Sequence, residues 1–568
     1  MKPAPTKPDS APAWLRPVIV ALAALLLLAC FSTEVADSDT FFHLEAGKYV
    51  LDHHRLPLPD PFSFTTYLGK ALPGEDVVRS FNITHSWLGE VIIYLAYAAG
   101  GYGGMVLLRA LIMTAYCGFA GLWIYRRTGV LYRAIAAALV TGFIASYFSS
   151  DRPYQMTYLL IVATIVIVES GRRLWLLPPL FLLWANLHGG YIMGFVVLGA
   201  YCAEALWRQL RSAPREGDRR LWLAAGASVA AAFCNPNGFR TFTILLLYRQ
   251  SNLTNSVYEW QKPALWPPSF LNLLLFGALV VLLWQRHRTR LADWVLLALF
   301  GAAYFSAVRN SNLAGLVAPA LIACYLPWGR VLGARAEWAL AAVLALAIAV
   351  PFARGRAFQL RCAEWKYPGG AADFLLSHGV TQPMFHTFDK GGYLMWRCWP
   401  LQRSFIDGRS LNETVFADYQ RMVKYLPGTR ELLNHYGIQV IVMNAFEANA
   451  GSTYVLPLAL ADPAEKEWKM VFADPGAAVF MRRPPQGVSP LPPSRIFDSM
   501  EAQCQAILDH DPLRPRCARS LANLFRNMRE TARARRWMEL YLEHRPDQNP
   551  SDDAFYRELS AATQMERQ

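Results

Sequence analysis

The chain has 568 residues, of which 54% are hydrophobic and 17% charged, with 18 tryptophans, a balance that excludes an ordinary soluble domain and a disordered one. A formal charge of +13 would suit nucleic acid, but Lys and Arg gather in short stretches between apolar runs, the pattern that orients a membrane protein. Apolar runs of roughly 17 to 22 residues recur up to residue 353 and then stop, so a membrane part precedes a water-soluble tail.

The first run, "PVIVALAALLLLACF" at 17–31, reads as a first crossing. An export signal is the competing reading, because "LLAC" at 27–30 approaches a lipoprotein cleavage site, although Leu28 stands where such sites prefer a small or β-branched residue. Residues 32–103 form a long outer loop, too polar for the bilayer. In it "TFFHLEAGKYVLDHH" predicts a helix, with Phe41, Leu44 and Leu51 on one face laid flat on the membrane. Pro57, Pro59 and Pro61 end it, since each lacks the amide hydrogen a helix uses.

Putting Lys2, Lys7, Arg16, Arg126, Arg127, Arg133, Arg172, Arg173, "WRQLRSAPREGDRR", "RHRTR", Arg330 and Arg335 in the cytoplasm fixes the direction of every crossing. Crossings near 16–31, 104–125, 132–148, 154–170, 174–187, 190–207, 221–234, 270–285, 291–307, 312–327 and 336–353 satisfy all of them. The run at 87–99 then lies along the outer surface, the N-terminus is inside and the tail outside. With that orientation "SSDRPYQ", "NLHGG", "CNPNGF" and "VRNSN" all fall on the outer face. Polar groups at membrane depth are costly unless they line a cavity, so the asymmetry predicts a polar chamber opening outward.

The chamber's candidate residues are Asp37, Asp39, Asp151, Arg152, His188, His43 and Glu90. Asp37 and Asp39 diverge on a helix but can approach one centre in an extended loop, where acids can bind a divalent cation, act as a general base or steer a cationic solute. An Arg beside a carboxylate suits a phosphate leaving group and an acceptor hydroxyl. Each has a plainer reading as well. Asp37 or Asp39 can cap the helix starting near Thr40, Glu90 can be a solvated acid, Arg152 a lipid-phosphate anchor and His188 a packing residue.

The tail divides at about 490. In residues 356–490, "PMFHTF", "RSFIDG", "IQVIVMN" and "AAVFMRR" read as strands between helices such as "GAADFLLSHG" and "ADYQRMVKYL", which predicts a small α/β domain. Asp60 caps the turn at Pro61, and Asp407 with Arg409 forms a turn with an ion pair. Residues 491–568 read as helix pairs with a repeat of roughly 34 residues, similar to tetratricopeptide repeats. Four of the nine cysteines lie in the tail, and the pairs 362–398 and 504–517 are possible disulfides.

A first crossing followed by "ADSD", surface helices, "WLGE" before a crossing that ends "YRRTG", and "SSDRPYQMTYLL" after the next one resemble the GT-C superfamily of integral membrane glycosyltransferases, which includes protein O-mannosyltransferases and the aminoarabinose transferase of lipid A. The resemblance covers about residues 15–353. "DTFFHLEAGKYVLDHHRLPLPDPFSFT", "NLHGG" and "FIDGR" look more like a bacterial subgroup of multi-spanning proteins.

The fold class expected is thus mainly α: a polytopic, GT-C-like membrane protein of about eleven transmembrane helices plus surface helices (1–355), then an extracytoplasmic α/β domain (356–490) and tetratricopeptide-like helices (491–568). The resemblance implies a polyprenyl-phosphate sugar donor and a glycan, lipid or protein acceptor at the outer face of the bacterial inner membrane. It makes Asp37 or Asp39 the base or metal ligand, with a divalent cation as possible cofactor, and sets Asp151 and Arg152 near the donor phosphate with His188. The helical tail would recruit a protein partner, and nucleic acid is not expected. The alternative is a non-catalytic scaffold or a transporter of a polar solute or lipid.

Overall fold

The computed structural model describes residues 11–213, 215–248, 258–327, 332–545 and 547–565. Lys2, Lys7 and Arg330 lie outside them. The chain is mainly helical with one small sheet, and it divides into two compact units, Met1–Leu58 with Val77–Cys362 and Pro59–Asp76 with Ala363–Gln568.

The first unit is a helical bundle. Its helices Leu15–Phe31, Leu131–Ser146, Tyr154–Ser170, Leu177–Leu187, Tyr191–Leu210, Gly217–Ala232, Phe270–Trp284, Leu291–Ser306, Ser311–Tyr325 and Ala334–Ala353 lie where the apolar runs predict them. Trp87–Thr128 runs as one helical stretch broken at Gly100 and Gly101, which separates the expected surface run from the expected crossing. Gly101 stands at φ 58°, ψ −148°, a conformation essentially confined to glycine, so the break is written into the sequence.

Among the described residues, two helical stretches, Glu75–Thr128 and Ala334–Ala353, are long and apolar enough to cross a membrane. The other apolar helices are shorter. Ser311–Tyr325 is the central helix: Leu313, Ala314, Gly315, Leu316, Val317 and Ala318 are all buried. Phe270–Trp284 and Ala334–Ala353 instead turn Leu273, Phe276, Leu283, Trp338, Leu346 and Phe352 outward. A rim of large exposed apolar side chains around a packed interior is the inverse of a soluble surface and fits an apolar solvent.

The loops sort to two ends of this bundle. At one end a ladder of alternating charge links five helices. Asp218 pairs with Arg208 at 2.5 Å, Arg208 with Glu204 at 2.5 Å and Glu204 with Arg290 at 3.3 Å. Arg290 pairs with Glu169 at 3.0 Å, and Arg127 with Asp293 at 2.8 Å and Glu169 at 3.8 Å. Arg127, Arg208 and Arg290, one from each of three basic clusters, are thus neutralised by acids at that end. The polar words gather at the other, where Trp87 and Cys234 both bond to Asn186 and Thr84 bonds to Asn237.

The helix Thr40–His53 forms as expected, but Phe41 and Leu44 are fully buried and Gly47 is pressed against the backbone of Glu90. The expectation of a helix lying on the membrane is corrected: its apolar face packs on protein. A Cβ at Gly47 would come within 2.2 Å of the Glu90 carbonyl, so only glycine permits that approach.

The second unit holds a four-stranded sheet in the order β1-β2-β4-β3, where β1 is Met384–His386, β2 Val440–Met443, β3 Lys469–Ala473 and β4 Ala478–Met481. β1 and β2 are parallel and the other pairs antiparallel. "RSFIDG" is not a strand of this sheet; Ser404 makes an isolated bridge to Ser63, and "KMVFA" supplies the missing strand. The helices Arg495–His510, Arg516–Asn527, Thr531–His544 and Pro550–Met565 follow. Cys504 and Cys517 form a disulfide, whereas Cys398 carries a free thiol, so the second candidate pair is not formed.

Loop residues 59–76 belong to this second unit through buried charge. Arg409 donates from Nη1 to Asp60 at 2.7 Å and from Nη2 to Asp407 at 2.8 Å, with side-chain exposures of 4%, 0% and 2% for Arg409, Asp60 and Asp407. Asp60 also accepts from the amides of Phe62 and Ser63, which closes the expected turn. Burial alone would raise the pKa of Asp407, but Arg409 outweighs it and holds the carboxyl below its ordinary value. Arg409→Met leaves two buried carboxylates without a cation and is expected to cost about 3–5 kcal/mol. Thermal unfolding of the purified variant beside wild type checks this, and an unchanged melting temperature would refute the role of the pair.

Candidate functional site

The site is built at the bundle end where Leu15–Phe31 stops. A helix leaves its last carbonyls without intrahelical partners, and here Arg109, inside the Trp87–Thr128 stretch, donates from Nε to the Phe31 carbonyl at 3.1 Å. The same guanidinium bonds to the Thr33 carbonyl and, from Nη1, to Asp151 at 2.6 Å. Both side chains of that pair are 2% exposed. Burial pushes the Asp151 carboxyl up to about 6 in spite of Arg109, and the nearby charge of Asp37 adds to the push.

One residue further on, Arg152 turns back to the first loop. Its Nε and Nη2 bond to the two oxygens of Asp37 at 2.5 and 2.7 Å, a two-pronged match of guanidinium to carboxylate. Nη1 lies 3.0 Å from Asp39 and Nη2 3.4 Å from Glu259. Burial acts to raise the pKa of Asp37, but the charge and hydrogen bonds of Arg152 prevail and hold it low. Asp39 takes the N-cap position of Thr40–His53, yet its side chain makes no cap hydrogen bond and faces Arg152 instead. Simple capping is therefore not what Asp39 does.

The histidines form the neighbouring wall. His188 Nδ1 accepts from the Gly190 amide at 3.0 Å and lies 3.1 Å from the Thr157 hydroxyl, itself the acceptor for Trp184 Nε1. An Nδ1 that accepts from an amide carries no proton, so the neutral ring presents Nε2–H. Burial drives the pKa of His188 well below its ordinary value and that of His85 down to about 4. The two rings stand 5.4 Å apart; Gly189 lies against Phe81 and His85, and Gly190 against Thr157 and His188, which accounts for the two glycines of "NLHGG". His43 Nδ1 is 2.8 Å from Glu90 Oε1, which also accepts from Ser86, so Glu90 is a buried partner and not a solvated acid.

All seven residues expected from the sequence thus lie at one end of one unit. Three others join them: Arg109, Glu259 and Arg309. Arg309 lies in the short turn Val308–Asn310, half-buried, with its guanidinium 4.3 Å from the ring centre of Trp260. Among the described residues it has no carboxylate partner, and its charge is felt by His85, His188 and Tyr158. Tyr158 also feels Glu259 and Arg152, which ties the two halves of the site together. Arg109 stands alone within an apolar run, a signal that marks a buried charge with a task; nothing around Glu259 marks it.

Among the described residues no three His, Cys, Asp or Glu side chains converge as ligands for a metal. Asp37 and Asp39, the acids nominated for a cation, are both turned onto Arg152.

No family model matches the chain, and no curated protein matches it in sequence. Among solved structures it is similar to the oligosaccharyltransferase of Archaeoglobus fulgidus in the apo form, with a TM-score of 0.50 and 11% identity over 84% of this chain and 75% of that one. The archaeal oligosaccharyltransferase AglB from Archaeoglobus fulgidus, in complex with an inhibitory peptide and a dolichol-phosphate, aligns over the same shares with 11% identity and a TM-score of 0.48. The first likeness shows a fold of the oligosaccharyltransferase type, in keeping with the GT-C resemblance of the sequence.

Asp151 binds its proton more tightly in the folded chain than in the unfolded one, because its carboxyl is raised to about 6. Its contribution to stability is therefore complete below about pH 4 and is lost as the pH rises through about 6, a change of up to about 3 kcal/mol. Asp37, being lowered, acts only below that window. His85 and His188, lowered by burial, act in the opposite sense over the same window, so the difference between two proteins reads the effect: from pH 4 to 7 the melting temperature of wild type should drop relative to that of Asp151→Asn, and parallel profiles would exclude the assignment.

Proposed function

We propose that the chain is a membrane glycosyltransferase that moves a sugar from a polyprenyl-phosphate donor to a hydroxyl of a glycan, lipid or protein, at the outer face of a bacterial inner membrane. The observation that carries this reading is the meeting, at one end of an apolar bundle, of a clamped carboxylate pair with Arg309, a cation that no acid among the described residues neutralises. The fold likeness to an oligosaccharyltransferase supports it, and the eleven crossings with the tail outside belong to the same proposal. The Cys504–Cys517 disulfide suits a tail in an oxidising compartment.

In this reading Asp39 is the general base. It is the more exposed of the pair, at 22% of its side chain against 16% for Asp37, whose two oxygens both engage Arg152. The acceptor hydroxyl gives its proton to the Asp39 carboxylate while its oxygen attacks the anomeric carbon from the face opposite the phosphate. The bond from that carbon to the phosphate oxygen breaks, and the electron pair leaves with the lipid phosphate. Arg309 meets the departing charge with a planar fork of N–H donors, and His188 adds its Nε2–H. Arg152 keeps Asp37 ionised and holds both acids in place, and Asp151 is fixed behind them by Arg109. The α/β unit and its tetratricopeptide-like helices recruit the acceptor or a protein partner.

Transfer from a synthetic polyprenyl-phosphate sugar into membrane acceptors tests the reading. Asp39→Asn is expected to lower turnover by about 100-fold or more. Arg309→Ala should raise the donor KM or lower kcat by roughly 10- to 100-fold, with Arg309→Lys between the two. Full transfer by the Asp37→Asn, Asp39→Asn double variant would remove both acids from the mechanism.

A further inference from the structure

We propose that Arg152 is the permanent cation of the carboxylate cluster, standing where a divalent ion would stand if Asp37 and Asp39 ligated a metal, with Glu259 as its third acid. The inference deepens the glycosyltransferase reading of the same site, and its test involves no turnover.

The geometry of the donors carries it. A metal such as Mn2+ or Ca2+ needs its oxygens within about 2.0–2.6 Å of a single point. Here the oxygens are spread around the edges of a flat guanidinium. Asp37 takes the Nε and Nη2 edge at 2.5 and 2.7 Å, Asp39 takes Nη1 at 3.0 Å and Glu259 takes Nη2 at 3.4 Å. They close on an ion several ångströms across, not on a point, and for that reason these three acids do not make a metal cluster. A metal entering the wild-type site would first have to expel a guanidinium held by charge-assisted bonds on three sides.

Charge makes the same case. Three carboxylates surround the Arg152 guanidinium, and Arg109 is committed to Asp151. With side-chain exposures of 16% to 31% for the acids and 17% for Arg152, water screens the cluster only in part. Taking Arg152 away leaves three like charges in a confined place, which a divalent cation can neutralise and the vacated guanidinium volume can hold. Arg152 is thus a positioning residue: it aims Asp39 through a fixed charge that no chelator can remove.

Mn2+ binding to the purified full-length protein in detergent, read from the loss of the free-ion electron paramagnetic resonance signal, tests this. Wild type and the Asp37→Asn, Asp39→Asn double variant should bind Mn2+ alike. Arg152→Ala should gain one equivalent, with that affinity reduced about 10- to 100-fold when Glu259→Gln or Asp39→Asn is added. Arg152→Lys, which keeps the charge, should gain none. One equivalent bound by wild type and lost in the double variant would overturn the proposal, as would no gain in an Arg152→Ala protein with a native melting profile. Should Arg152→Ala not fold, the wild-type comparison decides alone. Because sugar transfer does not enter, failure of this inference and failure of the transferase reading are separate results.

Discussion

A charged group taken out of water at the end of an apolar helix has to find its opposite, and this one constraint organises the first unit from end to end. A single ion without a partner in such surroundings costs several kcal/mol, more than a marginally stable fold can spare. The bundle meets the constraint differently at its two ends. At the ladder from Asp218 to Asp293 the acids and bases alternate along helices that are close neighbours, so each charge between the two ends is paired with two others.

At the opposite end the pairing is uneven. Arg109 and Asp151 cancel in the dry interior, Arg152 is outnumbered by the acids around it, and Arg309 rests on an indole. Unequal pairing leaves regions of opposite potential a short distance apart. Such a field has little value for holding helices together, but it is what a reaction needs when a proton leaves one atom and negative charge builds on another. The two ends show one rule applied for two purposes, permanence and reactivity.

The sequence made much of this legible because the membrane imposes long periods and strong sorting. The helix bounds, the break at "GGYGG", the segregation of "NLHGG" and "VRNSN" from the arginine clusters, and the three strands rich in Val, Ile, Met and Phe follow from hydropathy, charge and backbone chemistry alone. What escaped depends on contacts far apart in the chain. The burial of Phe41 and Leu44 turns on a glycine meeting a carbonyl about forty residues away. The strand "KMVFA" is short and follows charged residues, so its periodicity is weak beside the better-looking "RSFIDG". Glu259 reaches Arg152 from far along the chain, across more than a hundred residues, which no local pattern announces. Asp39 looked like a helix cap because its position fits one; only the guanidinium in space shows where the carboxylate points.

Residues 59–76 fold with chain that lies beyond residue 362. Made early, they must wait for Arg409 while Val77–Cys362 is synthesised, a delay on the order of 15–60 s at about 5–20 residues per second. During that interval Asp60 has no Arg409 to neutralise it, and only its local bonds to the amides of Phe62 and Ser63 can form. The order of the chain thus sets the order of assembly: residues 59–76 find their cation only after the helices from Trp87 to Ala353 have been made.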